Sequence, residues 1–293
     1  MEVSITNNSR IKMGLPLNVI LEEGLSYGTL DVYGRLKPDE TSEFGFTAYL
    51  KDRIARGITL DWKPDNTDYV TLRLYTPTAD EEIDAFYAMV GRICAFWDAL
   101  LMVDGVEMDL TGFFSGIRSF KAFNHERSDA IFNGFFTGER TKYTIQCVMF
   151  PLSIGKEEAM RFRGHHEVFV NWLHDKQKLD MYYAAANFYR GRDSIHGRYV
   201  LTEGVVSVFP SKPFVPHGLI DPQTHRPLKC DYYLTAFYSP NSKNIIGVCD
   251  YDSFIKRVPK EKMIYFDADH VVIFALTFDE ILNIIEPPMD SAE

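Results

Sequence analysis

Residues 69–101 read YVTLRLYTPTADEEIDAFYAMVGRICAFWDALL, and their pattern decides the fold class. Val70, Leu72 and Leu74 alternate with polar neighbours, the two-residue period of a half-buried strand. Thr76, Pro77 and Thr78 then supply a turn and a helix cap, and Asp80, Glu81 and Glu82 place negative charge where a helix dipole is positive. Beyond them Ile83, Phe86, Tyr87, Val90, Ile93, Cys94, Trp97, Leu100 and Leu101 fall on one face at three- and four-residue spacing. That stripe predicts a helix lying flat on a sheet. Cys94 and Trp97 belong to the stripe, so packing is expected of them and reactivity is not.

The same order of strand, turn and acidic helix start recurs twice. Tyr143 to Phe150 is followed by Pro151, Ser153, Glu157 and Glu158, and Val271 to Leu276 by Thr277, Asp279 and Glu280. The chain therefore reads as an α+β protein with a mixed or mainly antiparallel sheet, helices packed on one face, and two similar strand-then-helix halves. Without a Pro-, Gly- or Ser-rich tether, these halves, 1–142 and 143–293, are expected to pack closely. A second helical region is expected from Gly155 to about Arg190, carrying Phe162, Phe169, Trp172, Leu173, Leu179, Tyr183 and Ala186, with a break at Gly164. After Arg198 strands predominate, punctuated by Pro210, Pro213, Pro216, Pro222, Pro227 and Pro240.

Composition narrows the function classes. The 293 residues are 46% apolar and 25% charged, the profile of an ordinary globular protein, with 31 basic against 41 acidic side chains and a net charge of −10. A protein that neutralises nucleic-acid phosphates with a basic surface is excluded on that balance. Cys94, Cys147, Cys230 and Cys249 are far apart and form no C-x-x-C pair, so reduced structural thiols are expected. The stretch Met1 to Arg10 lacks the pattern of a secretory signal, and the apolar runs fall short of the roughly 18 residues of a membrane span. A cytoplasmic location and no membrane partner are the expectation.

The chemistry motifs are weak when taken singly. Gly24 to Gly28 spells G-x-S-x-G, yet a nucleophile elbow needs a helix behind it, and Thr29 to Tyr33 continues as a strand, so a turn between strands is expected. His165 and His166 precede Glu167, but Val170 stands where H-E-x-x-H requires a histidine. His166 and His174, two turns apart or about 12 Å by helix rise, do not reach one ion. The loop triple His217, His225 and Cys230 has ligand-type atoms in a proline-rich setting where such triples arise by chance. Asp250 and Asp252 suit a helix start, and Asp267, Asp269 and His270 suit a turn or, as the alternative, acid-base work. Residues 156–198 carry 8 basic against 6 acidic groups. Within them Arg190, Arg192 and Arg198 flank a glycine-bearing loop able to fork onto an anion, the plainer reading being a solvated loop. No glycine-rich phosphate loop, dinucleotide fingerprint or kinase signature occurs, so no cofactor or resident metal is expected.

Four stretches resemble a known family: Tyr69 to Glu82, Phe169 to Tyr189 with WLHDKQ and YYAAANFY, TEGVVSVFPSKPFVP at 202–216, and Tyr251 to Phe254. Together they are similar to the bacterial family catalogued as domain of unknown function 4299. The resemblance implies a bacterial cytosolic protein and carries no catalytic residue. Two function classes follow from the residues. The first is a non-catalytic binding protein of immunity or regulator type, whose acidic surface and 16 Tyr and 22 Phe engage a basic protein partner. The alternative is a hydrolase drawing His and carboxylate groups from 165–174 and 267–270.

Overall fold

The computed structural model describes residues 1–31, 35–216 and 218–285. Its first unit, Met1–Leu179, contains β1 (Glu2–Thr6), α1 (Leu17–Ile20), β2 (Leu25–Leu30), β3 (Leu36–Pro38), β4 (Phe46–Leu50), β5 (Ile58–Asp61), β6 (Tyr69–Leu74), α2 (Asp80–Trp97), β7 (Leu100–Val103), β8 (Val106–Met108), α3 (Leu110–Ser115), α4 (Ile117–Asn133), β9 (Tyr143–Ile145), β10 (Leu152–Ile154), α5 (Lys156–Phe162) and α6 (His166–Gln177). The second, Asp180–Glu293, contains β11 (Tyr182–Tyr183), β12 (Asn187–Arg190), β13 (Ile195–Thr202), β14 (Ser207–Pro210), β15 (Tyr232–Ser239), β16 (Asn244–Asp250), α7 (Tyr251–Arg257), β17 (Met263–Asp267), β18 (His270–Ile273) and α8 (Phe278–Ile285).

In the first unit eight strands form one antiparallel sheet in the order β3-β2-β4-β5-β6-β1-β7-β8. The helix expected after residue 79 is α2, and it packs on β1, β4 and β6. Ile83, Phe86, Val90, Ile93, Cys94 and Trp97 enter one core with Val3, Ile5 and Leu72. Burial of side chains of this size stabilises by roughly 1.5–3 kcal/mol each. Leu100 and Leu101 leave the helix and begin β7, because Asp98 takes a left-handed conformation (φ 46°) and ends it. The expected cap is also replaced: Ala79 stands at the cap position with no side-chain bond. Ser26 of the G-x-S-x-G stretch lies within β2, paired with Tyr49 of β4, so most of this stretch is strand in place of the expected turn between strands.

The division into units falls after Leu179, which corrects the expected boundary at 143. Residues 143–179 belong with the first unit because Phe162 and Phe169 pack their rings on Phe132 of α4 at 5.5 and 5.2 Å. The long helical region is corrected as well. It breaks at Gly164, whose φ of +70° suits glycine, and it ends at Gln177. Beyond that point Tyr182–Tyr183 pairs in parallel with Ser207 and Val208, and Asn187–Arg190 forms a hairpin with Ile195–Arg198.

The second unit holds two mixed four-stranded sheets, ordered β11-β14-β18-β17 and β12-β13-β15-β16. Helices α7 and α8 pack beside β15 and β16, enclosing Tyr199, Phe209, Phe237, Tyr251, Phe254, Ile281 and Ile284. Two expected helix starts are present. Asp250 accepts the N–H groups of Asp252 and Ser253, and the Thr277 hydroxyl accepts from Glu280 N–H while the Glu280 carboxylate accepts from Thr277 N–H.

Candidate functional site

In the first unit the start of α2, the middle of α4 and the start of α6 meet around Asn124. This side chain is fully buried: its Oδ1 accepts Thr78 N–H at 2.9 Å, and its Nδ2 donates to Thr78 O at 2.9 Å. The remaining Nδ2 proton faces Asp80 Oδ1 at 3.3 Å and His166 Nε2 at 3.2 Å. His125, next along α4, brings Nε2 to 3.1 and 3.2 Å from the two Asp80 oxygens, and its ring stacks on that of His166 with centroids 4.0 Å apart. One turn on, the buried Ser128 hydroxyl lies 3.1 Å from Asn124 O and 2.8 Å from His166 Nδ1.

This network assigns the His166 tautomer. Ser128 donates to the carbonyl one turn back, so its oxygen is left to accept from His166 Nδ1–H. The lone pair of His166 then sits on Nε2, facing Asp80 and His125. Burial, and next the neighbouring His125, push the His166 pKa below its ordinary value, which favours the neutral, ligating form. One ligand atom from each of Asp80, His125 and His166 lies within 4.8 Å of the others. Two imidazoles and a carboxylate are the donor set of zinc and non-haem iron centres. The side chains of Asp80 and His125 are 34% and 47% exposed, so further coordination positions face solvent.

Beneath this cluster Glu82 is buried on the same helix. Its carboxylate accepts N–H groups from Ala55 (3.3 Å), Arg56 (3.1 Å) and Gly57 (2.8 Å), together with the hydroxyl of Thr78. Burial pushes the Glu82 pKa up, opposed by these four hydrogen bonds. Thr78 thus serves as a buried link between Glu82 and Asn124.

Of the residues that the sequence offered as site candidates, His166 alone enters the cluster among the described residues. His165 is exposed and contributes backbone contacts at the start of α6, and His174 Nδ1 accepts Ile54 N–H at 3.1 Å. In the second unit Asp267 and His270 do meet: His270 Nδ1 lies 2.7 Å from Asp267 Oδ1, and its Nε2 lies 2.7 Å from the Tyr183 hydroxyl. All three are buried, tying β11 to the turn between β17 and β18. Asp269 supports this turn through its backbone, donating to Asp267 and accepting from Ser211. The hydrolase alternative drew on both groups, and each is built into a separate network within its own unit.

The arginine loop does not assemble as an anion fork. Arg190 is bound to Asp221 at 2.7 Å, Arg198 lies 4.2 Å over the Tyr189 ring, and Arg192 is exposed at the hairpin tip. His217 lies outside the described residues; His225 sits in a left-handed loop position, and Cys230 Sγ contacts Tyr232 O.

Asp80, His125, Asn124 and Ser128 escaped sequence reasoning as site residues. Asp80 reads as a helix-start charge, and only the four-residue spacing of Asn124 and Ser128 hints that α4 turns polar groups inward.

Fold and site together define an α+β protein of two units, the first carrying a two-histidine, one-carboxylate cluster. Residues 1–284 match the family model described as domain of unknown function (DUF4299), and the chain belongs to that family. No curated protein and no solved structure matches it. No described helix is long and apolar enough to cross a membrane.

Proposed function

We propose that the protein binds one divalent transition-metal ion through Asp80, His125 and His166, as a binding protein and not as an enzyme. The observation that supports this most is the convergence of the three ligand atoms within 4.8 Å. Ser128 holds His166 from behind at Nδ1, the outer-shell support that metal-bound histidines carry. Calorimetric titration of EDTA-stripped protein with zinc tests it. One saturable site is expected, weakened at least about tenfold in His125→Ala and Asp80→Ala, and about tenfold in Ser128→Ala, where the ligands are intact. Zinc uptake that is equal in His125→Ala and wild type would sink the proposal.

A second reading, engagement of a protein partner, is favoured by an exposed row on the β12-β13-β15 sheet. Tyr189, His196 and Tyr232 occupy paired register positions with rings stacked at 5.5 and 5.3 Å, and the two tyrosines are 42% and 46% exposed. Aromatic groups of this kind anchor interfaces, and the net charge of −10 suits a basic partner. Native mass spectrometry of protein taken gently from its host should show a stoichiometric partner that salt releases and that Tyr232→Ala does not retain. Isolation without any partner at low salt contradicts this reading.

A further inference from the structure

The second unit contains a cavity of about 480 Å³ lined by Ile195, Asp221, Thr224, Arg226, Pro227 and Lys229. Its wall is a closed loop. Ile220 and Pro227 form a bridge, Leu228 N–H bonds Leu219 O at 2.9 Å, and Asp221 N–H bonds Arg226 O at 2.9 Å. The loop is also tied to β13, where Ile195 N–H donates to Asp231 Oδ2 at 2.7 Å and Asp231 N–H donates to Ile195 O at 2.8 Å.

Asp221 organises this wall. Its carboxylate accepts Gln223 N–H (3.0 Å), the Thr224 hydroxyl (2.8 Å) and Arg190 Nη2 (2.7 Å), and these bonds hold its pKa down at about 2. The ion pair with Arg190 cancels the one negative charge on the lining. Arg226 and Lys229 remain, and neither has an ion-pair partner among the described residues. In a chain with a net charge of −10, two uncompensated cations at one cavity mark a local reversal of sign.

We propose that this cavity binds a small phosphate monoester, with Arg226 and Lys229 contacting the phosphate and Asp221 as a positioning residue that fixes the loop carrying them. A dianionic phosphate matches the two positive charges, Arg offers a planar fork and Lys a point charge, and the volume exceeds what a bare phosphate fills. The inference is independent of the metal reading, since it uses no residue of the metal cluster.

The test is calorimetric titration of the full chain with inorganic phosphate and with glycerol 3-phosphate at fixed ionic strength, using chloride as the control. Saturable binding is expected for both, tighter for the ester, and at least tenfold weaker in Arg226→Ala and in Lys229→Ala, both exposed positions whose replacement leaves the fold intact. Asp221→Asn separates a built site from general attraction. It raises the local positive charge, so simple attraction predicts tighter binding, whereas loss of the loop's organiser predicts weaker binding. Phosphate heats no larger than those of chloride, or affinity unchanged by Arg226→Ala and Lys229→Ala, would overturn the proposal. Equal affinity for phosphate and the ester would restrict the site to the free ion and overturn the monoester assignment.

Discussion

Glu82 shows how one residue can occupy an expected place and do a different job. Its position in the first turn of α2 suits a surface carboxylate facing the helix dipole, yet it is 1% exposed and satisfies three backbone N–H groups of residues 55–57. Replacing it by alanine strands those donors, each costing about 1–3 kcal/mol when buried and unpaired. Glu82→Ala is therefore expected to lose at least about 3 kcal/mol by urea unfolding, and Glu82→Gln less, since the amide oxygen still accepts. A loss below about 1 kcal/mol in Glu82→Ala would contradict this account. Asp221 carries a pH prediction of definite sign. Its folded pKa of about 2 lies below the ordinary 3.8, so its contribution to stability is fully present above about pH 4 and fades as pH falls through 2. The difference in urea midpoint between wild type and Asp221→Asn should accordingly shrink between pH 5 and pH 2. A difference constant over that range would place the effect in packing and not in charge. Neither role was legible from the sequence, because the backbone partners of Glu82 and the Arg190 partner of Asp221 lie 25 or more positions away along the chain.

Among the elements, α2 was legible and α4 was not, for one physical reason. The buried face of α2 is almost wholly apolar, and its periodicity shows directly. Helix α4 buries Asn124, Ser128, Ile131 and Phe132, a helical spacing in which half the members are polar, so hydrophobic patterning finds only a weak stripe. That polar half is the part that holds the cluster, which is why helix and site were missed together. Residues 178–190 show the opposite error. Leu179, Tyr183 and Ala186 fit a helical spacing, but pairing of 182–183 with Ser207 and Val208 and of 187–190 with its hairpin partner decided the outcome. The end of α6 is fixed by a further side chain, Gln177, whose Oε1 accepts Met149 N–H at 2.6 Å and Phe150 N–H at 3.3 Å while its Nε2 donates to Phe150 O at 3.0 Å. Gln177→Ala removes these three hydrogen bonds and is expected to cost about 2–3 kcal/mol. Chemical denaturation checks this, and an unchanged midpoint would show that the segment around 150 is held by other contacts.

At the scale of the whole molecule, the order of strand, turn and acidic helix start correctly announced an α+β protein, but it misplaced the seam. Local grammar repeats at Tyr143, whereas the seam depends on which core a segment enters. Phe162 and Phe169 go to Phe132, and nothing in their own neighbourhood reveals that choice. The second unit has what an independent domain needs. Its strands find their partners among strands of the same unit, and its core gathers Tyr199, Phe209, Phe237, Tyr251, Phe254, Ile281 and Ile284 beneath α7 and α8. A chain of about 110 residues can bury enough apolar surface to fold without a disulfide or a metal. Residues 180–293 expressed alone are therefore expected to show a strand-rich circular dichroism spectrum and one cooperative urea transition. The side chain of Phe254 supplies the control, because it packs edge-on against Phe209 and Phe237 at 5.2 and 5.7 Å. Phe254→Ala should lower the stability of this fragment by about 3–5 kcal/mol, the usual cost of removing a buried phenyl ring. A fragment that is unstructured, or one whose transition ignores Phe254→Ala, would mean that this core does not fold by itself.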